Sequence, residues 1–244
     1  MEAEIRQQII DLNHQFYQTF AQPFSLTRQR IQPGVRRVLE QIPIEASVLD
    51  LGCGNGELWQ VLASRGQRGV YCGLDFSTGL LQAARERTAR SESNNPPVFI
   101  QADLTRPDWV KLILLSPVEI VTAFAVMHHL PGIETRLRLL EQIKSLLAPQ
   151  GRLYLSNWQF LNSERLRARV QPWETVGLTQ AQVDAEDYLL DWRQGGLGLR
   201  YVHHFSPAEL DELAQISGYR VLETFYSDGK GGRLSIYQTW ELGE

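Results

Sequence analysis

Cysteine is scarce in this sequence: Cys53 and Cys72 are the only two among 244 residues. Two thiols cannot build a disulfide framework or a four-cysteine zinc site. Both lie in or beside apolar runs, the placement of reduced thiols in a cytoplasmic protein. Positive charge is also short. The 24 Lys and Arg are outnumbered by 28 Asp and Glu, a net charge of −4. No global positive field therefore draws in DNA, and any RNA contact has to come from a local basic patch. No apolar run reaches the ~18 residues of a membrane helix. The opening MEAEIRQQII has neither a basic leader nor an apolar stretch behind it, so a soluble protein with no membrane partner is expected. Internal repeats and low-complexity tracts are lacking as well. With 43% hydrophobic and 21% charged residues the composition is that of an ordinary globular chain. A length of 244 residues allows one large α/β domain with an insertion, or two small domains.

What is there begins with helical periodicity. Ile5, Ile9, Leu12, Phe16 and Phe20 fall at steps of 4, 3, 4 and 4, one face of an amphipathic helix over 2–20. Gln22-Pro23 breaks it, PFSLTRQRIQPG reads as a structured connection, and a second helix near 34–41 ends before Pro43. From Ala46 the pattern changes. ASVLDLG, GVYCGLD, PVFIQAD, VEIVTAFAV and RLYLSNW read as strands, separated by helices in GELWQVLASRG, TGLLQAARERTAR and Glu134 to Leu147. Such alternation predicts an α/β fold, a doubly wound, mostly parallel sheet with helices on both faces. The stretch 158–205 breaks the rhythm: it is polar, interrupted by Pro172, Gly195, Gly196 and Gly198, and without clear strand pairing, so it reads as a cap insertion. SPAELDELAQISG is a helix with a Ser206 cap, Pro207 at its first position and Gly218 at its end. YRVLETFYSD and RLSIYQTWEL, joined by GKGG, form a C-terminal antiparallel hairpin that brings the sheet to seven strands. Four segments are expected: a helical lid over 1–44, a Rossmann-like core over 45–157, the cap over 158–205, and a helix and hairpin over 206–244 that complete the core.

The strongest signal is VLDLGCGNGEL, Val48 to Leu58, where a strand runs into Gly52, Gly54 and Gly56 and a helix starts at once. Glycine lets the backbone turn sharply and approach a ligand closely, and the helix start adds unpaired N–H groups and a positive dipole end. The G-x-G-x-G spacing differs from the G-x-G-x-x-G of dinucleotide binders, because Glu57 stands where their last glycine would be. Asp50 and Glu57 would repel a pyrophosphate, which disfavours an NAD-linked oxidoreductase. A ligand with an amine, a cationic centre and a small carboxylate fits better. Asp75 ends the second strand in YCGLDFS, 19 residues beyond Gly56, where an acidic residue accepts hydrogen bonds from both ribose hydroxyls. Phe76, next to it, can lie against a purine face. Asp103 ends the third strand in QAD, ahead of Leu104 and Thr105, and can accept from an exocyclic amine. Each Asp taken singly reads as a helix cap or turn residue. Three strand-terminal acids along one sheet edge point instead to a ligand, because open α/β sheets bind ligands there.

VLDLGCGNG, GLDFS, QADL, FAVMHHL and LLAPQGRLYLSNW, in that order over about 46–157, resemble the class I S-adenosylmethionine-dependent methyltransferases. The resemblance implies S-adenosyl-L-methionine as cofactor. It places Asp50 and the run Gly52, Cys53, Gly54 to Gly56 on the methionine moiety, Asp75 on the ribose, Asp103 and Leu104 on the adenine, and Phe124 and Ala125 beside the sulfonium. A narrower resemblance covers most of the chain. FYQTFAQPFSLTRQRIQPGVRRVLEQI, GCGNGEL, AVMHHL with its trailing Glu134-Thr135-Arg136, YLSNW and RYVHHFSPAELDELAQISGY are similar, in the same order, to the tRNA wobble-uridine carboxymethyl methyltransferases. Those enzymes methylate the carboxylate of 5-carboxymethyluridine in the anticodon loop, so tRNA is the acceptor implied. Val202 departs from the second aromatic usual in that family, and the region around Pro172-Trp173 matches it loosely. A small activator protein is a further candidate partner.

An ionised carboxylate needs no general base, only a cation or donors to orient it. Arg200, Tyr201, His203 and His204 in LRYVHHF are the candidates for that task; the alternative is a solvated Arg200 and histidines packed into the cap. His128-His129 follow the fourth strand, beside the expected methyl position. His128 is a candidate catalytic residue for acceptor alignment or acid/base help, against a loop-structuring pair held to backbone. With no Cys or carboxylate at ligand spacing the two histidines make no metal site, and no metal is expected. Two basic clusters, Arg165, Arg167 and Arg169, and Arg28, Arg30, Arg36 and Arg37, lie outside the sheet core where RNA would land. Trp158, Phe160 and Trp173 could stack bases. The N-terminal helix is expected to close over the cofactor as a lid. Two other functions stay open, a methyltransferase of a small metabolite and a non-catalytic binding module on the same fold.

Overall fold

Residues 1–27, 30–89 and 95–243 are described by a computed structural model. The chain enters through α1 (Ala3–Thr19), α2 (Ala21–Thr27) and α3 (Pro33–Leu39), then alternates through β1 (Val48–Leu51), α4 (Glu57–Ser64), β2 (Tyr71–Asp75), α5 (Thr78–Thr88), β3 (Val98–Gln101), β4 (Val118–Phe124), α6 (Ile133–Leu146) and β5 (Leu147–Trp158). The cap carries α7 (Glu164–Arg167), β6 (Val170–Gln171), β7 (Asp187–Trp192) and β8 (Gly198–His203), and the chain closes with α8 (Pro207–Ile216), β9 (Tyr219–Ser227) and β10 (Ser235–Leu242). Seven strands form one sheet in the order β3-β2-β1-β4-β5-β10-β9. The β1–β5 pairs are parallel and both pairs involving β10 are antiparallel. That is the doubly wound sheet with a C-terminal hairpin expected from the alternation of the sequence.

Central strands β1 and β2 are buried throughout, as strands covered on both faces must be. Leu139, Leu140 and Ile143 of α6 and Leu210 and Leu213 of α8 pack on one face with Val121, Leu153 and Trp240. Val35, Val38 and Leu39 of α3 and Trp59 and Leu62 of α4 cover the other with Tyr71, Tyr154 and Tyr237. Ser77 and Ser206 cap α5 and α8 by accepting from the N–H groups of Leu80 and Glu209.

Two expectations are corrected. The connection after α1 contains a further helix, α2, because Pro23 falls in its first turn, where the missing N–H forfeits no helical hydrogen bond. The cap, which had shown no strand pairing, holds a three-stranded antiparallel sheet, β6-β7-β8. Gly195 and Gly196, which read as interruptions, are the turn between β7 and β8, and both take positive φ, 73° and 134°.

Helix α1 packs against this cap sheet. Ile9 joins Trp173, Leu189 and Tyr201 in one cluster, and Phe16, Tyr17 and Phe20 join Trp192 in another. The buried side is rotated from the predicted face, since Ile10, Asn13 and Tyr17 are buried on it while Ile5 and Leu12 are only partly so. Asn13 is the joint. Its Oδ1 accepts the Tyr201 N–H at 2.8 Å, and its Nδ2 donates to the carbonyls of His129 at 3.1 Å and Tyr201 at 3.4 Å. The amide thus substitutes for a neighbouring strand along the edge of β8. Asn13→Ala strands these groups, a cost of about 1–3 kcal/mol for each buried group left unsatisfied. Scanning calorimetry is expected to show Tm falling by roughly 4–8 °C; an unchanged Tm would mean that water replaces the amide without loss. Among the described residues no helix is long and apolar enough to cross a membrane.

Candidate active site

The strand-to-helix turn after β1 is built on left-handed backbone. Gly52 and Gly54 have φ of 69° and 55°, a region that L side chains rarely adopt. A side chain at Gly52 would also meet Val126 Cγ2 at 2.6 Å, whereas Gly54 opens onto free space. That space is a cavity of about 310 Å³ at the C-terminal ends of the parallel strands.

The three strand-end acids reach this cavity, two of them raised by burial and the third lowered by its hydrogen bonds. Asp50 spans the strands: its oxygens accept the Tyr71 hydroxyl at 2.5 Å and the Thr122 hydroxyl at 2.7 Å. Burial pushes its carboxyl up to about 6 against the pull of those two bonds. Asp75 accepts one backbone N–H on each oxygen, from Gly54 at 3.0 Å and Ser77 at 2.9 Å. Burial raises it to about 6 as well, opposed by its backbone donors. Asp103 goes the other way. Partial burial raises it, but hydrogen bonds from His14 and Thr105 outweigh that and hold it at about 2. Cys53 also lines the cavity, and burial with the charges of Asp75 and Asp50 pushes its thiol well above the ordinary range. Cys72 is pushed by burial and by Asp50 to about 11. Both are inert thiols.

At the end of β4, Phe124 and Ala125 form a wall of the cavity. Ala125 holds a left-handed φ of 57°, fixed by its N–H donating to the carbonyl and hydroxyl of Ser156 at 3.0 and 3.1 Å. The two histidines that follow divide. His129 Nδ1 donates to the Tyr201 carbonyl at 3.0 Å, which leaves Nε2 to accept the Tyr17 hydroxyl at 2.8 Å. Its ring is a rivet between α1, the loop and the cap. His128 is buried on the cavity wall, and its Nδ1 accepts the Trp158 N–H at 3.3 Å, which puts the ring proton on Nε2.

Arg200 lies on the same wall, buried in the cap. Its guanidinium carbon sits 4.8 Å from the Trp158 ring centroid and 5.5 Å from those of Phe16 and Trp192. Aromatic faces hold a cation without neutralising it. The neighbours of Arg200 do not share its site. Successive residues of a strand point to opposite faces. The Tyr201 hydroxyl bonds Asp187 and Arg136, and His203 bonds Asp187 and Glu209, so both side chains lie outside the cavity lining. They are corrected from acceptor-handling residues to members of a buried polar cluster. Phe160 and Trp173, candidates for stacking bases, are buried in cap clusters; Trp158 is the one of the three on the cavity. Of the basic residues, Arg30 reaches the cavity mouth and Arg165, Arg167 and Arg36 are exposed, while Arg37 pairs with Glu223. Arg28 lies outside the described residues.

Sequence reasoning missed several cavity residues. Asn13, His14 and Tyr17 of α1 roof the cavity, and His14 lies face-near Phe76 with ring centroids 4.6 Å apart. The one available signal was polar Asn13 and His14 interrupting an apolar helix. Asp228, in the turn before β10, accepts the Gly34 N–H at 2.9 Å and the Tyr237 hydroxyl at 2.6 Å, tying α3 to the hairpin beneath the cavity. No local pattern marks it. Among the described residues no group of three His, Cys, Asp or Glu could hold a metal ion.

A family model described as a methyltransferase domain matches residues 23–224. The chain belongs to that family. This methyltransferase is 25% identical over 238 residues to the tRNA (carboxymethyluridine(34)-5-O)-methyltransferase of Schizosaccharomyces pombe (strain 972 / ATCC 24843), covering 93% of this chain and 95% of that protein. It is 31% identical over 143 residues to the trans-aconitate 2-methyltransferase of Azoarcus sp. (strain BH72), covering 57% of this chain and 51% of that one. Among solved structures it shares the fold of a SAM-dependent methyltransferase from Methanosarcina mazei, with TM-score 0.66 and 18% identity over 88% of this chain and 99% of that chain. S-adenosylmethionine is the methyl donor of this methyltransferase, and the cavity suits it. Asp75 has used one lone pair on each oxygen and keeps acceptor capacity for two hydroxyls. The glycine turn has no side chain at its open side, where a close-lying methionine tail needs room.

Proposed function

We propose that this methyltransferase esterifies a carboxylate, and that the acceptor is the carboxymethyl group of a tRNA wobble uridine. The observation that carries the reading is Arg200: a buried, ring-held guanidinium on the wall of the cofactor cavity, close to the β4 end. A guanidinium matches a carboxylate with a two-point fork. Three ring faces pack around the charge and set its direction toward the cavity wall without neutralising it.

On this reading Asp75 takes the ribose hydroxyls, Asp103 and Leu104 flank the adenine, and Asp50 with Gly52, Cys53 and Gly54 holds the methionine end. Bound S-adenosylmethionine supplies an electrophilic methyl on a sulfonium sulfur. Arg200 fixes the acceptor carboxylate with one oxygen in line, where reacting atoms must come within ~3–3.5 Å. His128 lines the same wall beside the acceptor, and no residue has to remove a proton, since the acceptor is ionised near neutral pH. The α1–α2 segment keeps bulk water from the cavity as a lid. Exposed Arg165 and Arg167 and the cavity-mouth Arg30 supply phosphate contacts.

Support for tRNA comes from the Schizosaccharomyces pombe enzyme, whose likeness runs over nearly both chains. A small carboxylic acid is the second reading, favoured by the net charge of −4 and by the likeness to an enzyme of trans-aconitate. Incubation with labelled S-adenosylmethionine and either demethylated total tRNA or trans-aconitate, followed by mass spectrometry, separates them. Labelled wobble nucleoside supports the first reading; label only in the small acid overturns it. RNA binding is further expected to weaken steeply with salt.

Ribose binding by Asp75 also has a pH signature. The carboxyl is raised to about 6 in the free protein, and two hydroxyl donors need its ionised form. Cofactor affinity is therefore full above pH 7 and declines as pH falls through about 6. Calorimetric titration with S-adenosylhomocysteine at several pH values reads this directly, and a flat profile between pH 5 and pH 7.5 would detach Asp75 from the ribose.

A further inference from the structure

The RYVHHF motif leaves Tyr201 and His203 unexplained by the cavity. Both belong to a polar cluster buried where the cap meets the core. His203 of β8 faces Asp187 of β7, its direct cross-strand partner, with Nδ1 2.6 Å from the Asp187 carboxylate. Its Nε2 is 2.8 Å from the carboxylate of Glu209 on α8. A carboxylate can only accept, so a ring placed between two of them has a donor on each nitrogen only as imidazolium. Arg136 of α6 completes the set: it donates to the Leu130 carbonyl at 3.0 Å and the Tyr201 hydroxyl at 3.0 Å, and lies 3.4 Å from Glu209 and 3.8 Å from Asp187. The Phe205 ring packs against both cations. Two cations and two carboxylates balance; removal of the His203 proton leaves a buried net negative charge.

We propose that the Arg136–Asp187–His203–Glu209 cluster is the positioning device for Arg200, with doubly protonated His203 as its keystone, so that acceptor engagement weakens in alkaline solution while cofactor binding does not. The link is one residue long. Tyr201 adjoins Arg200, its hydroxyl donates to Asp187 at 2.7 Å, and its backbone is held by Asn13 and His129. Fixing Tyr201 on one face of β8 sets the direction in which Arg200 leaves the other. Burial and Arg136 work against the charge on His203, but the Asp187 and Glu209 hydrogen bonds outweigh them and raise it above its ordinary range. The adjoining His204 is shifted downward, by burial first. A raised histidine contributes fully in acid and loses its contribution as pH climbs through its shifted value.

The consequence for acceptor binding rests on the carboxylate reading of Arg200; the geometry can be tested without it. Nuclear magnetic resonance of the full-length protein, followed from pH 6 to pH 10, reads the His203 Cε1–H and the Arg200 δ-methylene protons, which the Trp158, Phe16 and Trp192 rings shift. We expect His203 to stay protonated well beyond the ordinary midpoint of about 6.5, and the Arg200 signal to move toward an uncaged position in the same step. His203→Gln brings that movement at neutral pH, with S-adenosylhomocysteine affinity unchanged. With carboxymethyluridine-bearing tRNA as probe, kcat/KM for the acceptor falls about tenfold in the variant and loses its alkaline decline. A His203 that titrates at an ordinary midpoint, or an Arg200 signal that stays put when His203 deprotonates, overturns the proposal, and the wild-type titration gives this answer even if the variant does not fold. An Arg200→Ala enzyme with normal turnover overturns only the carboxylate reading.

Discussion

Arg200→Ala is expected to bind S-adenosylmethionine normally and to methylate carboxymethyluridine-bearing tRNA at least ~10²-fold more slowly, the scale of a misplaced acceptor. Arg200 reaches the cavity from the cap, on the side of the β4 end and Trp158, while Asp75 and Gly54 approach from the sheet. Loss of the guanidinium therefore leaves Asp75 and the glycine turn untouched. Arg200→Lys keeps the charge and the contact with the Trp158 face but gives up the two-point fork, so its rate should fall between wild type and Ala, with kcat affected more than KM. Single-turnover methylation separates the two parameters. Equal rates for Arg200→Ala and wild type would remove the main physical support for a carboxylate acceptor.

The second large effect belongs to the cofactor. Asp75→Ala removes the carboxylate that would take both ribose hydroxyls, and a hydrogen bond to a charged group is worth roughly 1.5–3 kcal/mol. Calorimetry should show affinity for S-adenosylhomocysteine reduced about ten- to a hundredfold. The change also frees the N–H groups of Gly54 and Ser77, to which Asp75 is bonded. Asp75→Asn gives up less of the backbone role: its amide oxygen can still accept one of the two N–H groups, while its NH₂ can accept neither the other nor a hydroxyl. Weak binding by Asn in a protein that melts like wild type ties the loss to the ribose. Full affinity in both variants would contradict the assignment.

Much of the core was legible from residues close together in sequence. A run such as VLDLG followed by three glycines and a helix pattern specifies strand, turn and helix locally, because positive φ and period-two apolar runs are properties of neighbours. With the strands placed, Asp50, Asp75 and Asp103 had to fall at one edge, and the structure sets all three on the cavity. Arg200 lines the same cavity, but its motif could not say which way it pointed.

The sequence by itself determined the parallel sheet, the glycine turn and the strand-end acids, all of which follow from local periodicity. Only the tertiary structure decided the cap. Its sheet pairs segments such as Gln171 with Leu189, and its hairpin turn carries glycines that read as interruptions. Until β8 is known to be a strand, RYVH cannot be divided into Arg200 on one face and Tyr201 and His203 on the other. Asp228, which joins α3 to the hairpin, has no local signature at all, and Asn13, which secures the edge of β8 from 188 residues away, shows only as a polar break in an apolar helix. Their partners come from distant parts of the chain, and which polar group meets which is fixed only when folding removes both from water.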